Sequence, residues 1–161
     1  DILSTVLSDG KESRLYRSLV LEKRLAKDVE SYQYSARLQS QFIVEATAAE
    51  GHTTDELVAA IDEVIAELRE AGPTTEEIST SKTNWQVMFY EILQSISGKA
   101  NQLNSYAVSA GDPGYIDKDL QRYLSVTPES AHGAAKDWLA PDRRVVLHVV
   151  PDTNDAEEGG E

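Results

Sequence analysis

The sequence predicts an α+β fold, in which a small, largely antiparallel sheet carries helices packed on one face. Two runs of alternating residues, 28–36 and 41–48, follow each other directly, so the strands are grouped in a hairpin. Amphipathic helical periodicity then fills most of the chain up to residue 139. A last apolar run, 143–150, predicts a third strand. The predicted order is helix, helix, strand, strand, four helices and strand.

The first two elements are predicted to be helices. Residues 2–7 are amphipathic, and Gly10 ends the first helix. The second helix has a solvated Glu-Lys-Arg stretch at 22–24, and its apolar positions include Leu15, Leu19 and Leu25. Because the helical pattern starts at once and has no evident cap, we expect the chain to be a fragment of a longer protein. We also expect one further strand upstream, which would complete the sheet.

The hairpin is predicted from a change of period at Asp28. From that residue polar and apolar side chains alternate, as they do in a strand with one buried face. Residues 37–40 form a short polar connection to the second run, 41–48. A connection of this length favours antiparallel pairing of the two strands.

Two capping boxes mark the helices that follow the hairpin. Thr53 lies three residues before Glu56, and Thr74 lies three residues before Glu77, a spacing typical of helix starts. Gly72 and Pro73 stop the first of these helices. Its apolar face consists of Leu57, Ala60, Ile61, Val64, Ile65 and Leu68. The face of the next helix consists of Ile78, Trp85, Met88, Phe89, Ile92, Leu93 and Ile96.

Glycine and proline divide the remaining helices. Gly98 interrupts the helix that starts after the second capping box, and a further helical segment reaches the Gly-Asp-Pro-Gly turn at 111–114. A short helix is predicted at 115–124. Residues 127–129, Thr-Pro-Glu, provide an N-cap, a proline at the first helical position and an acidic first turn for a helix that ends near 138–139.

Domain organisation is predicted from composition. Residues 1–151 form a single α+β domain, and residues 152–161 form an acidic, disordered tail.

The chain carries a net charge of −13 and no cysteine. The charge argues against a nucleic-acid partner, and the missing cysteines exclude thiolate catalysis and Cys-ligated zinc. A soluble acidic surface is the simplest explanation of the charge, and attraction of basic substrates is the alternative.

Compartment is only weakly constrained by the sequence. No stretch has the apolar length of a membrane span, and no signal peptide is visible. A bacterial-type soluble protein of the periplasm or the cytoplasm is expected.

The three histidines do not form a metal-binding motif. His52 lies in a loop, His132 on a helix and His148 in the last predicted strand, and no pair has the spacing that places two imidazoles on one helical face. A structural role is expected for each, and His148 is expected to be an ordinary sheet residue. The sequence therefore predicts no catalytic residue and no metal ligand within this chain.

Motifs for nucleophilic and phosphate chemistry are also missing. There is no G-x-S-x-G elbow and no P-loop. Glu76 and Glu77 fit a helix first turn better than an acid/base pair, and Glu157 and Glu158 fit the tail. The aromatic residues of the helix after the second capping box are expected to pack in the core; they are Trp85, Phe89 and Tyr90.

Three stretches resemble the insulinase, or pitrilysin-like, zinc peptidases, which include the mitochondrial processing peptidases. The segment 53–78 is similar to the family's two-helix segment, and 123–151 is similar to its closing helix and strand. The first stretch matches a glycine turn, a Ser-Arg-Leu helix start, a Glu-Lys-Arg-like run, Leu-Ala and a strand. In this chain the matching residues are Gly10, Ser13, Arg14, Leu15, Glu22, Lys23, Arg24, Leu25, Ala26 and Val29.

The resemblance implies a role for this chain within a larger enzyme. In the family, H-x-x-E-H and a downstream glutamate in another domain hold zinc and supply the general base. This chain resembles the second, metal-free domain, so zinc would belong to the parent enzyme. The implied partners are the upstream zinc-bearing domain, a second homologous half or subunit, and a peptide or unfolded-protein substrate enclosed in a chamber.

The resemblance also implies what the helix-to-strand junction does. In the family's substrate-binding half, an arginine and a tyrosine seven residues apart contact substrate there. Alignment on Leu25 and Ala26 places Val20 and Lys27 at these positions. Valine has no hydrogen-bond donor and lysine is no phenol, so the junction is expected to be scaffold and no substrate-binding residue is expected.

Three functions remain open at this point. The chain is expected to be a non-catalytic domain of a zinc metalloendopeptidase. Alternatives are a non-catalytic assembly subunit of the same fold and a generic protein-binding module. In every case we expect the isolated chain to be inactive, whether or not the parent protein is an enzyme.

Overall fold

A computed structural model describes residues 1–151 and shows six α-helices, a π-helical segment and a two-stranded antiparallel sheet. The predicted tail, 152–161, lies outside the described residues. The strands are β1, Ala26–Tyr34, and β2, Gln41–Ala48, and the π-helical segment is Tyr16–Glu22. The α-helices are α1, Ile2–Ser8; α2, Thr54–Ala71; α3, Thr75–Ile92; α4, Ile96–Ser109; α5, Ile116–Leu124; and α6, Pro128–Trp138.

The hairpin forms as the sequence predicts, with two changes at β1. Val29 pairs with Ala46 and Tyr34 pairs with Gln41, so the strands are antiparallel. β1 begins at Ala26, two residues earlier than its alternating pattern, because a bulge between Ala26 and Asp28 interrupts the period. It ends at Tyr34, so the connection to β2 is longer than predicted.

The core lies on one face of the hairpin. Val29 and Ser31 of β1 are buried on this face, while Glu30 and Tyr34 are exposed on the other. Helices α1 and α2 and the π-helical segment cover the buried face, and α6 packs on α2. Four leucines are fully buried in this layer: Leu7, Leu15, Leu19 and Leu68. The predicted α+β architecture, with helices on one face, is confirmed.

Both predicted capping boxes are present. The Thr53 hydroxyl accepts a hydrogen bond from the Glu56 amide at 3.2 Å, and the Thr74 hydroxyl accepts one from the Glu77 amide at 3.1 Å. These bonds satisfy amide groups that a helix start otherwise leaves without a partner. Each cap therefore fixes the first turn of α2 or α3 close to the residue that its sequence predicts.

Between the hairpin and residue 151 the structure has five helices, where four were predicted. Helix α3 ends at Ile92, and α4 starts separately at Ile96 with Ser95 as its cap. Gly98 lies in the first turn of α4, where a Cβ atom would collide with the Ile92 carbonyl. This glycine therefore permits a tight turn between two helices and does not interrupt one.

The apolar face predicted for α3 is only partly buried. Trp85 and Phe89 lie in the core, as predicted. The predicted core position of Tyr90 is wrong, because about half of this side chain is exposed. Met88 and Ile96 are exposed as well, since the end of α3 and the start of α4 extend past the hairpin and its covering helices.

The predicted final strand is wrong for the described residues. Residues 144–150 form no ladder with β1 or β2, which pair only with each other. An apolar run becomes a strand only where a neighbouring strand supplies hydrogen bonds, and no described segment does so. His148 is consequently not a sheet residue but contacts α2.

No helix within residues 1–151 is long and apolar enough to cross a bilayer.

Candidate functional site at the helix-to-strand junction

The junction, residues 14–28, differs from the regular helix predicted for its first part. Only Arg14 and Leu15 are α-helical, and the chain then widens into the π-helical segment. The Lys23 amide donates to the Ser18 carbonyl at 2.9 Å, a bond between residues five apart. π-Helical turns are rare and occur often at functional sites, so this segment is the first candidate for a functional role.

The end of the π-helical segment is fixed by an unusual backbone conformation. Arg24 has a φ of 54°, a left-handed conformation that is costly for a side chain with a Cβ atom. It allows the Leu25 amide to donate to the Leu19 carbonyl at 2.8 Å. The Leu25 carbonyl accepts a bond from the Ala49 amide, also at 2.8 Å, which joins the junction to the end of β2. Backbone hydrogen bonds therefore join the end of the junction to the π-helical segment on one side and to the end of β2 on the other.

Arg14 anchors the start of the junction to the turn between α2 and α3. Its Nε and Nη2 atoms donate to the two Glu77 carboxylate oxygens at 2.6 and 2.8 Å, and Nη2 also donates to the Gly72 carbonyl at 2.9 Å. The hydrogen bond to Glu77 raises the pKa of Arg14. Burial alone would raise the pKa of Glu77, but the bonds from Arg14 and the Thr74 amide outweigh it and lower this pKa.

Val20 and Lys27 occupy different environments in the junction. Val20 is half-buried and packs against the core, and Lys27 is exposed at the bulge of β1. The valine side chain offers no polar atom to a ligand, and the bulge turns the lysine to solvent. These placements are compatible with a scaffold role for the junction, which stays a prediction.

The histidines are dispersed over three different contacts. His52 Nδ1 lies 3.4 Å from a Glu56 carboxylate oxygen. His132 Nε2 lies 2.9 Å from the Arg69 carbonyl, and His148 Nδ1 lies 2.7 Å from the Thr54 hydroxyl. Within residues 1–151, no three His, Asp or Glu side chains are grouped so that they could hold a metal. The residues of this part of the chain do not fit a zinc site.

An apolar groove lies between α1, the hairpin and the last two helices. It encloses about 360 Å³, and its wall includes Ile2, Phe42, Tyr123 and Trp138. Tyr123 stacks on Trp85 with ring centroids 3.6 Å apart. Burial raises the pKa of the Tyr123 phenol, and the nearby Asp119 charge adds to this. The groove could hold apolar side chains, and sequence patterns do not reveal it because distant elements form it.

Comparison with protein families gives one match across the junction. Residues 1–84 match the family model described as the peptidase M16 inactive domain. This range includes the π-helical segment, the hairpin, α2 and the first half of α3. The matched range therefore covers all the elements that hold the junction in place.

Curated proteases are similar over nearly the whole chain. A zinc protease of Helicobacter pylori, PqqE, is 29% identical over 94% of this chain and 34% of its own length. An uncharacterized zinc protease of Streptomyces coelicolor is 28% identical over 92% of this chain and 32% of its own length. The chain thus spans about a third of the length of these relatives.

A solved structure has a similar fold. The crystal structure of a protease from Helicobacter pylori superposes with a TM-score of 0.81 and 25% sequence identity. The similarity covers 89% of this chain and 34% of that chain. The arrangement of helices on one face of the hairpin therefore has a close counterpart within a longer protease.

Proposed function

Since this chain belongs to the family of peptidase M16 inactive domains, we propose that it is a non-catalytic domain of a zinc metalloendopeptidase. The family match carries the proposal. It agrees with the side chains of residues 1–151, among which no three His, Asp or Glu residues are grouped so that they could hold a metal. Zinc would be held by another domain of the parent protein. Residues 1–151 would form one domain that supports the catalytic one.

The support would consist of packing against the zinc-bearing domain and forming part of the wall of a peptide-enclosing chamber. Exposed apolar side chains at the end of α3 and on α4 favour a covered surface there. They include Met88, Ile92, Ile96 and Leu103. Large apolar side chains that are exposed near one another in this way are more frequent at interfaces than on free surfaces.

The junction would contribute rigidity to this domain. Its π-helical segment, the Arg24 conformation and the Arg14–Glu77 ion pair fix the chain between the core helices and β1. A fixed junction suits a wall that must keep its shape while peptides enter.

A non-catalytic assembly subunit of the same fold is the second candidate. The observation that favours it is Val20 and Lys27 at the positions where the family's substrate-binding half has arginine and tyrosine. Such a subunit would have the same fold and would take part in assembly without contributing to peptide cleavage.

The test is peptide cleavage by the complete protein that contains this chain. We expect bound zinc in a stoichiometric amount, and cleavage of a fluorogenic peptide that 1,10-phenanthroline abolishes. The peptidase proposal would be overturned if the complete protein bound no zinc, either alone or with its partner, and cleaved no peptide. The assembly-subunit function would then remain.

A further inference from the structure

The junction, residues 14–28, is basic, although the chain as a whole is acidic. It holds five lysines and arginines but only two acidic residues, a net charge of +3, whereas the complete chain has a net charge of −13. A third of the 15 lysines and arginines therefore lie in this short stretch. An anionic ligand that approaches the protein is attracted to the junction and repelled by most of the remaining surface.

Three of the five cations already have a carboxylate partner. The pairs are Arg14 with Glu77, Arg17 with Glu22, and Lys23 with Glu63. The other two, Arg24 and Lys27, are exposed and form no ion pair with another residue of 1–151. The donors of these two side chains are therefore available to a ligand.

Arg24 keeps a backbone conformation that does not suit its side chain. Its φ is 54°, and every other residue with a positive φ in the range 1–151 is a glycine. A Cβ atom makes this left-handed conformation unfavourable, whereas glycine adopts it readily. Non-glycine residues in such conformations cluster at active sites and ligand-binding sites. An arginine at this position therefore indicates a role for its guanidinium group.

Lys27 is positioned by a second irregularity of the backbone. Ala26 pairs with Ala48 and Asp28 pairs with Thr47, so Lys27 is the extra residue of the β-bulge. Bulges turn single side chains out of the regular alternation and are frequent beside active sites. The Asp28 carboxylate accepts a hydrogen bond from the Thr47 hydroxyl at 2.9 Å and does not pair with Lys27. The ammonium group is therefore presented to solvent without a partner.

The two cations lie close to each other on the surface. Three residues of extended chain span at most about 11 Å, so the Cα atoms of Arg24 and Lys27 are no farther apart than that. Between them, Leu25 packs against the core and Ala26 is buried. Arg24 and Lys27 therefore flank a dipeptide that is directed inward, and one extended ligand can contact both.

The chemistry of the pair selects carboxylates. A guanidinium group binds a carboxylate through two parallel hydrogen bonds, and an ammonium group adds a compact charge with three donors. A nucleic acid needs contacts to many phosphates, which two cations on an acidic protein do not provide. We infer that Arg24 and Lys27 form a site that binds carboxylate groups of an extended peptide.

This site names a substrate class for the proposed function, peptides that carry acidic groups, and it rests on that function because peptides must reach the junction. The family resemblance predicted no substrate contact here, since Val20 and Lys27 replace an arginine and a tyrosine. The present pair is a different one. Its arginine is Arg24, and its ligand is an anion.

The experiment is an NMR titration of the complete 161-residue chain at low salt. The probe is acetyl-Ala-Ser-Glu-Glu-Ser-Ala-amide, and the neutral control has glutamine in place of both glutamates. A third peptide, the glutamine peptide with a free carboxyl terminus, tests a terminal carboxylate as the source of the anion. We expect the glutamate peptide to shift the amide signals of residues 24–27 with a Kd of about 1 mM, and the neutral peptide to cause no saturable shift.

Arg24→Gln and Lys27→Gln should each weaken binding by about tenfold, because each removes a charge-assisted contact. Lys99→Gln is the matched control. It removes one positive charge from an exposed position on α4 that forms no ion pair within residues 1–151, so it should bind as the wild type does.

Arg24→Gly separates the guanidinium group from the backbone conformation. Glycine adopts the left-handed conformation without strain, so this variant should melt about 2–4 °C above the wild type. It should nevertheless lose binding as Arg24→Gln does. A loss of binding in a protein of raised melting temperature cannot come from misfolding.

Four results would overturn the inference: no saturable shift with any of the three peptides, equal saturable shifts with the glutamate peptide and the neutral peptide, wild-type affinity in Arg24→Gln or Lys27→Gln, or an equal loss in Lys99→Gln. Binding of the free-terminus peptide alone would support the site and assign it to a terminal carboxylate. The titration involves neither zinc nor cleavage, so its failure is distinguishable from failure of the proposed function.

Discussion

At the scale of single residues, burial separates the leucines of the π-helical segment into two groups. Leu19 is fully buried, whereas Leu21 is 46% exposed. Periodicity assigns both to one helix but does not determine the turn width, and the wider π-turn changes which side chain faces the core. The sequence could therefore predict Leu15 and Leu19 as core residues, but it could not predict the turn that places them there.

Leu19→Ala should lower the free energy of unfolding by about 3 kcal/mol, because it removes a buried side chain and leaves a cavity. Leu21→Ala, in the same segment, should change it by about 0.5 kcal/mol or less. Urea unfolding followed by circular dichroism measures both. Equal losses in the two variants would contradict the burial that the structure assigns to Leu19.

The Arg14–Glu77 ion pair should make stability depend on pH. Folding lowers the pKa of Glu77 below its ordinary value of about 4.5, so the unfolded state binds more protons in acid. This contribution is present above about pH 4.5 and is lost as pH falls through the folded-state pKa.

Glu77→Gln should therefore reduce stability at pH 7 by about 1–3 kcal/mol, since Arg14 loses its charged partner, and should flatten the decline in acid. Urea unfolding at pH values from 7 to 3 measures both effects. The adjacent Glu76→Gln is the control, because Glu76 bonds to no other described side chain. An unchanged acid slope in Glu77→Gln would contradict the role of this pair.

At the scale of elements, local signals predicted the helix starts well and the last strand poorly. A capping box involves residues three apart, so Thr74 and Glu77 are sufficient to locate the start of α3. A strand also needs a neighbour, and the run from Arg144 to Val150 carries no information about where that neighbour lies. The positions of Val20 and Lys27 followed from family resemblance, while the apolar groove depends on tertiary packing.

Thr74→Ala should lower the free energy of unfolding by about 1 kcal/mol, because the Glu77 amide loses its side-chain acceptor. Thr75→Ala, one residue later and also exposed, should stay within about 0.5 kcal/mol of the wild type. Thermal and urea unfolding provide the comparison. A larger loss in Thr75→Ala would show that the cap lies elsewhere.

Gly72 joins α2 to α3 and lies against α6. Its φ of 77° and ψ of 174° belong to a region that essentially only glycine adopts, and an added Cβ would lie 2.9 Å from His132 Cγ. Gly72→Ala should therefore cost roughly 3 kcal/mol. Gly10→Ala is the control, with a φ of 81° but no atom within 4 Å of the added Cβ, and should cost about 1 kcal/mol.

A second variant separates the cost of backbone strain at residue 72 from the cost of the collision between the added Cβ and His132. His132→Ala in the Gly72→Ala background removes the imidazole, so a double-mutant cycle should show a coupling between the two sites. Additive effects would mean that backbone strain alone limits this position.

At the scale of the whole molecule, the chain combines a well-packed core with surfaces that it does not cover. The core beneath the hairpin is buried, while the ends of α3 and α4 and the segment Arg144–Val150 expose apolar side chains. The chain belongs to the inactive-domain family and spans about a third of the length of the proteases to which it is similar. We propose that neighbouring domains of a longer protein cover the exposed apolar surfaces.

The most direct measurement is peptide cleavage by the purified 161-residue chain with added zinc, followed with a fluorogenic peptide mixture. We expect no turnover above the protein-free control, because residues 1–151 provide no group of ligands for the metal. Turnover that needs zinc and that 1,10-phenanthroline abolishes would contradict the claim that this domain is non-catalytic.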